Sequence, residues 1–210
     1  HQDSIPKTVV KESFINEKAN KIIDRYSVLK GFQRENYNQN EFGYFLQHLQ
    51  LKDFGTLVKF YNGNEKPVNN VYNAVIDLPI GNKDLHQCSD ATMRLRADLL
   101  YQQKRYDEIS FNFLSDEKPR KFTDFANGDY SPENYWKYLE YVFSYANTAS
   151  LKKQLKLVNF EQIKIGDILL QQGNPYGHAV MVVDLAKNKQ GEKNCFTCSK
   201  LYASTRNSDS

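Results

Sequence analysis

IGNKDLHQCSDATMRLRADLLY, residues 80–101, decides how this chain is read. Gly81-Asn82 breaks whatever precedes it, and from about residue 87 to residue 103 the apolar positions recur at helical spacing. Ala91, Leu95 and Leu99, with Met93 and Leu100 beside them, form the stripe expected to face the core. Asp90 and Arg94 stand four apart and are expected to pair on the helix surface, a contact worth a few tenths of a kcal/mol. Asp84 favours the start of the same helix. Cys88, one of only three cysteines, falls in the first turn. A thiol attacks as the thiolate, and the free N–H groups and dipole of a helix start favour an anion there. The Cys88 N–H is then also placed to form part of an oxyanion hole.

Such a nucleophile needs a base, and the chain has four histidines. His1 is a terminus, His48 lies in another helical stretch, and His86 is too near Cys88 along the chain to face it. His178 is the candidate: it opens the apolar strand GHAVMVVDLA directly after the turn GNPYG, where an imidazole can project from a sheet edge toward a helix packed on that sheet. Each residue alone has a plainer reading. A lone helical cysteine is usually a small buried hydrophobe, and a strand-start histidine a hydrogen-bonded structural group. Taken together, in the order cysteine helix then histidine strand, they fit a nucleophile and its base. Gln87 and Asp90 beside the thiol are weaker candidates for oxyanion or substrate contacts, and Gln87 reads more simply as a solvated first-turn residue. Asp184 lies six residues beyond His178, roughly 20 Å away at strand rise, so it cannot orient that imidazole directly.

Outward from this stretch, composition bounds the class. The chain has 210 residues, 40% of them hydrophobic, with 14 Tyr and 13 Phe to bury large areas, so a folded globular domain is expected. A net charge of +3 from 28 basic and 25 acidic residues, without a Lys/Arg run, argues against a nucleic-acid partner. The longest apolar runs are too short to cross a bilayer. Three cysteines are too few for a disulfide framework, and Cys195-x-x-Cys198 lacks the second pair that a four-ligand zinc site needs, so no metal or other cofactor is expected. A metal site assembled from His86, Cys88, Cys195 and Cys198 would require the tail to be genuine. The start at His1 rather than Met fits a trimmed chain or one whose export signal has been removed.

Helical spacing marks SFINEKANKIIDRYSVL, with Ile22, Ile23, Tyr26 and Leu29 inward, and NQNEFGYFLQHLQL. SPENYWKYLEYVFSYA is the strongest helix, with Ser131 as cap and Pro132 at the first position; its Tyr135, Trp136, Tyr138, Tyr141 and Tyr145 read as a core stripe. GTLVKFYNG, VYNAVIDL, DEISFNFL, KLVNF, GDILLQQG and GHAVMVVDLA read as strands, and KPRKFTDFANGDYSP as polar loop. The mixture is an α+β pattern.

A cysteine opening a helix, then IGDILL, then GHAVMVVD resembles the papain-like cysteine peptidase superfamily, especially its NlpC-type branch. More closely, YNG, IGNKDLHQCSDATMRLRADLLY, FNF, YVFSYANTASL, IGDILLQ and GHAVMVVDLA resemble a bacterial domain-of-unknown-function family of secreted or lipoprotein-like proteins, placed in that superfamily. The resemblance spans about residues 25–184. It implies a cysteine-bearing helix packed on a small antiparallel sheet, Cys88 as nucleophile and His178 as base. It further implies hydrolysis of an amide or peptide bond, with a cell-wall (peptidoglycan-like) peptide as the possible substrate, and export to the cell envelope. The rival reading is a catalytically inert binding module on the same fold, its thiol protonated in an apolar pocket. The division expected is an N-terminal helical part at 1–55, a papain-like core at 56–193 and a tail at 194–210.

That tail departs from the pattern. NCFTCSKLYASTRNSDS is polar and lacks strand alternation. Codons can be chosen for residues 193–210 that, read one nucleotide later, give K-I-V-L-L-A-Q-S-Y-M-P-A-Q-E-I-Q-I, the apolar strand that the family pattern calls for. Residues 194–210 therefore read as an out-of-frame, disordered tail. The restored frame places a glutamine where Ser199 now stands, in position to orient the histidine.

Overall fold

A computed structural model describes residues 15–65, 74–171, 173, 177–197 and 201–202. In chain order these form α1 (Ile22–Arg25), β1 (Phe32–Arg34), α2 (Phe42–Gln47), β2 (Ala74–Val75), α3 (Cys88–Gln102), β3 (Ser110–Asn112) and β4 (Pro119–Lys121). There follow α4 (Phe122–Ala126), α5 (Pro132–Tyr145), α6 (Thr148–Gln154), β5 (Ile168–Gln171), β6 (His178–Asn188), β7 (Lys193–Thr197) and β8 (Leu201–Tyr202). The fold is α+β.

β6 is the spine of the main sheet. Its first residues pair antiparallel with β5, from Gln171 opposite His178 to Ile168 opposite Met181. Its last residues pair with β1, Arg34 opposite Ala186. β7 runs antiparallel along the other edge, with a bulge between Val182 and Asp184. The central residues Val182, Val183 and Leu185 are buried, as a strand covered on both faces requires. Asn194–Thr197, read from sequence as part of a disordered tail, lie in β7, and Leu201–Tyr202 pair parallel with β2. Residues 198–200 and 203–210 of that stretch lie outside the described residues.

α3 lies between two cores. Leu95 joins Ile22, Leu46, Leu49, Ile165, Met181, Val182 and Leu185 on the sheet side. Met93, Ala97 and Leu100 join Phe111, Phe122, Tyr138, Leu139 and Val142 on the other. The helix is therefore buried around most of its girth, and the single stripe read from sequence understates it. Thr92, Asp90 and Arg94 are buried as well. α5 forms where its signals stand: Ser131 Oγ accepts the Asn134 N–H at 3.3 Å, and Pro132 occupies the first turn, where no N–H partner is needed.

Other segments differ from the sequence reading. Of the helix expected across residues 13–29, the described residues 15–29 form the single turn α1, where Arg25 turns inward to donate to Ala19 O at 2.5 Å and Lys52 O at 3.1 Å. GTLVKFYNG forms a turn closed by the bridge Lys59–Glu65, and not a strand. The stretch expected as polar loop contains β4 and α4, ended by Asn127 in the left-handed region at φ 46°. KLVNF is exposed loop leading into a turn of 3-10 helix, Phe160–Gln162. The N-terminal part belongs to the same body: β1 completes the sheet and Arg34 Nε reaches Asp184 Oδ2 at 2.7 Å.

Candidate active site

The approach to Cys88 is held by a buried polar network. Arg94, one and a half turns into α3, donates to Pro79 O and lies 3.4 Å from His86 Nε2. Its Nε meets Asp98 Oδ2 at 3.2 Å, its guanidinium lies 5.0 Å from the Trp136 ring, and the Tyr135 hydroxyl donates to Asp98 Oδ1 at 2.7 Å. Gly81 turns under Trp136 at φ +71°, and a Cβ there would come within 2.8 Å of that ring. Lys83 Nζ pairs with Glu140 at 2.7 Å on the outside of the same turn. Residues 79–87 are thus clamped from α3 and α5 together.

His86 belongs to this clamp. It is 3% exposed, edge-on to Phe143 at 5.6 Å, and burial, reinforced by the Arg94 charge, pushes its pKa down to about 3. A neutral imidazole facing a guanidinium presents its lone pair, so Nε2 is the acceptor and Nδ1 carries the proton, buried without a partner among the described residues. Burial raises the Asp98 carboxyl, opposed by Arg94 and the Tyr135 hydrogen bond. Burial, then the Asp98 charge, pushes the Tyr135 phenol far above its ordinary range.

The clamp delivers Gln87 in extended conformation as the N-cap and Cys88 as the first residue of α3. Asp90 accepts the Gln87 N–H at 2.8 Å, the return bond of a capping box. Asp90 is 3% exposed, caps the helix start and is not among the described residues lining the cavity by Cys88. The surface pair expected between Asp90 and Arg94 gives way to burial of both, with Arg94 ion-paired to Asp98.

Cys88 is partly exposed and lines a cavity of about 500 Å³. Gln87, Cys88 and Ser89 form one wall. α6 forms the second, with Asn147 and Thr148 at its start and Lys152 and Lys153 in its last turn, and Leu170, Gln171, Gly173 and Gly177 form the third. Gly177 immediately precedes His178. A Cβ on it would lie 3.0 Å from both Gln171 O and Thr148 Cγ2, so a glycine lets the strand start close against α6. His178 itself is half-buried, paired with Gln171, and stands one residue beyond the cavity wall. α3 packs across β6. Neither Cys88 nor His178 forms a side-chain hydrogen bond among the described residues.

The remaining sequence candidates are placed elsewhere. Asp184 is wholly buried, accepting from Arg34 and from Gln47 Nε2 at 2.9 Å. His48 stacks on Tyr44 at 3.7 Å, in a separate cleft with Asp77 and Asp98. Cys195 lies in β7 opposite Leu185, its thiol raised by burial against the Lys193 charge. Cys198 and Ser199 fall outside the described residues. The α6 wall was missed in the sequence. Its signal was the Asn147-Thr148-Ala149-Ser150 capping box, in which Asn147 Oδ1 accepts the Ala149 and Ser150 N–H groups and Ser150 Oγ accepts the Asn147 N–H.

Among the described residues, no group of three or more His, Cys, Asp or Glu could hold a metal ion, and no helix is long and apolar enough to cross a membrane. Comparison with curated proteins found no match, and neither did comparison with solved structures. The sequence model of one family matches at residues 22–131 and again at 117–205, covering every element named above. The chain accordingly belongs to the family described as "Domain of unknown function (4846)".

Proposed function

We propose that this protein is a cysteine hydrolase of amide or peptide bonds, on a papain-like, NlpC-type arrangement. The observation that carries the reading is the position of Cys88. It is the first residue of a fifteen-residue helix, partly exposed, in a cavity whose facing wall ends at Gly177, next to His178. A helix start stabilises the thiolate and offers the Cys88 N–H to a developing oxyanion. Catalytic hydrogen bonds are often long before substrate binds, so an unbonded Cys88 and His178 are compatible with the role.

In the proposed reaction Cys88 Sγ attacks the scissile carbonyl carbon while His178 accepts the thiol proton. The tetrahedral intermediate collapses, the C–N bond breaks, and His178 returns that proton to the leaving amine. Water then attacks the thioester, His178 takes its proton and passes it to Sγ, and the carboxylic acid leaves. A cell-wall peptide and a location in the cell envelope belong to the same proposal, supported by resemblance alone.

The test is alkylation of Cys88 by iodoacetamide across pH, with His178→Ala as control and a peptide-hydrolysis screen alongside. A reactive Cys–His pair alkylates at a level rate well below pH 8.5, near which a free thiol titrates, and the control loses that plateau. An ordinary or silent thiol, unaffected by His178→Ala, overturns the hydrolase and favours an inert binding module.

A further inference from the structure

The cavity at Cys88 is charged on one side only. Its described lining includes Lys152 and Lys153 and no carboxylate. Lys153 is engaged, with Nζ 2.5 Å from Glu117 Oε1. Lys152 forms no ion pair among the described residues, so its ammonium is available to a ligand.

Lys152 also lines a second groove of about 450 Å³, and so does Leu170. The two spaces are therefore neighbours across these side chains. The second groove is mainly apolar: Leu155, Leu157, Phe160 and Ile168 line it beside Lys156 and Asn159, and Leu157 is fully exposed. The one carboxylate in its described lining, Asp167, accepts the Lys164 N–H at 2.9 Å. A contiguous exposed apolar surface of this kind marks a binding site more often than an ordinary surface. Between the two spaces runs β5, paired with β6 along one edge and with no described strand along the other. A free strand edge offers its N–H and C=O groups to an extended peptide.

The order of these features along β5 is thiol, then cation, then apolar groove. We infer that the site takes an extended peptide with an acidic residue next to the scissile carbonyl, its carboxylate on Lys152, and an apolar residue next beyond it, seated between Leu157 and Phe160. This inference rests on the hydrolase reading for the word "scissile" but not for the binding order, and the experiment separates the two.

Peptide binding is measured on the Cys88→Ala protein by NMR titration, with N-acetyl-Leu-Glu-Gly amide, N-acetyl-Leu-Gln-Gly amide and N-acetyl-Glu-Leu-Gly amide as probes. The Leu-Glu-Gly peptide is expected to bind about 3- to 5-fold more tightly than either other peptide, the range of a partly exposed ion pair. Lys152→Gln should erase the Glu-over-Gln preference, and Leu157→Ser should weaken both Leu-first peptides equally. On the intact thiol, Lys152→Gln should lower the ratio of iodoacetate to iodoacetamide alkylation at Cys88. Equal binding of all three peptides, or a Glu preference that survives Lys152→Gln, overturns the inference even where the alkylation profile supports the hydrolase. Ordered binding with a thiol indifferent to His178→Ala keeps the inference and removes the hydrolase. A dimer that Leu157→Ser converts to monomer, with peptide binding unchanged, assigns the apolar groove to a second copy and overturns that half.

Discussion

The two faces of α3 solve the same problem with different chemistry. On the sheet side the packing is aliphatic, and the buried charge is an ion pair, Arg34 to Asp184, completed by Gln47. On the α5 side the packing is aromatic, and the buried charges are Arg94 and Asp98, with Tyr135 and a neutral His86 closing the network. The sheet-side pair ties together segments far apart in sequence. The α5-side network holds one turn of chain, residues 79–87, in front of Cys88. Buried polar groups on one face thus fix topology, and on the other they fix the approach to the candidate site. Removing one partner of a buried pair strands the other, which makes both faces testable by single substitutions.

The largest effect is expected from Asp184→Ala. It leaves the Arg34 guanidinium and the Gln47 amide without their acceptor, and should cost about 3–5 kcal/mol in urea unfolding. Asp184→Asn, which keeps a carbonyl acceptor, should cost clearly less. Next is Leu139→Ala in the aromatic core, with an expected loss of about 2–4 kcal/mol on the same assay and no change in Cys88 alkylation.

The pH dependence sharpens the comparison further. His86 has a folded pKa of about 3 against 6.5 unfolded, so unfolding takes up a proton anywhere between those values. Its contribution is present above pH 6.5 and is lost as pH falls, at up to about 1.4 kcal/mol per pH unit. Asp98, raised by burial, works in the opposite direction, so the clean readout is the difference between the wild type and His86→Gln. The wild type should lose stability more steeply between pH 6 and pH 4. Equal slopes would place the acid sensitivity elsewhere.

Asp90→Ala should cost about 1 kcal/mol, a typical capping loss, and should slow Cys88 alkylation as the helix start loosens. Lys83→Ala, which removes the exposed pair with Glu140, should cost only about 0.5 kcal/mol.

What the sequence shows of this fold follows from how local each signal is. α3 and α5 were legible because their caps and apolar spacing lie within the element. β5 and β6 were legible because their apolar runs are short, flanked by glycine and, in AVMVVDLA, rich in β-branched residues. KLVNF carries the same residue types but finds no described strand to pair with, and its Leu157 and Phe160 stand exposed. Arg94 read as a surface charge, and Arg25 gave no signal, because nothing in sequence reveals a carbonyl waiting on another segment. Lys52 and Pro79 supply those carbonyls. At the candidate site the helix-head cysteine was visible from spacing alone. The wall built by α6 was not, since seven residues give too few turns for periodicity to register.

One contact sets a timetable for the chain. Arg34 and Asp184 are separated by 150 residues, and Gln47 and Asp184 by 137, whereas the aromatic core is drawn from residues 93–151. Pairings that close long loops form late. During synthesis α3 can collapse onto α5 while β6 is still unmade, and the Leu95 face of α3 then stays uncovered. Until β6 is made, Ile22 and Leu46 lack the same strand to pack against. Refolding after dilution from denaturant is expected to be slow, and to be limited by the closure of these long loops.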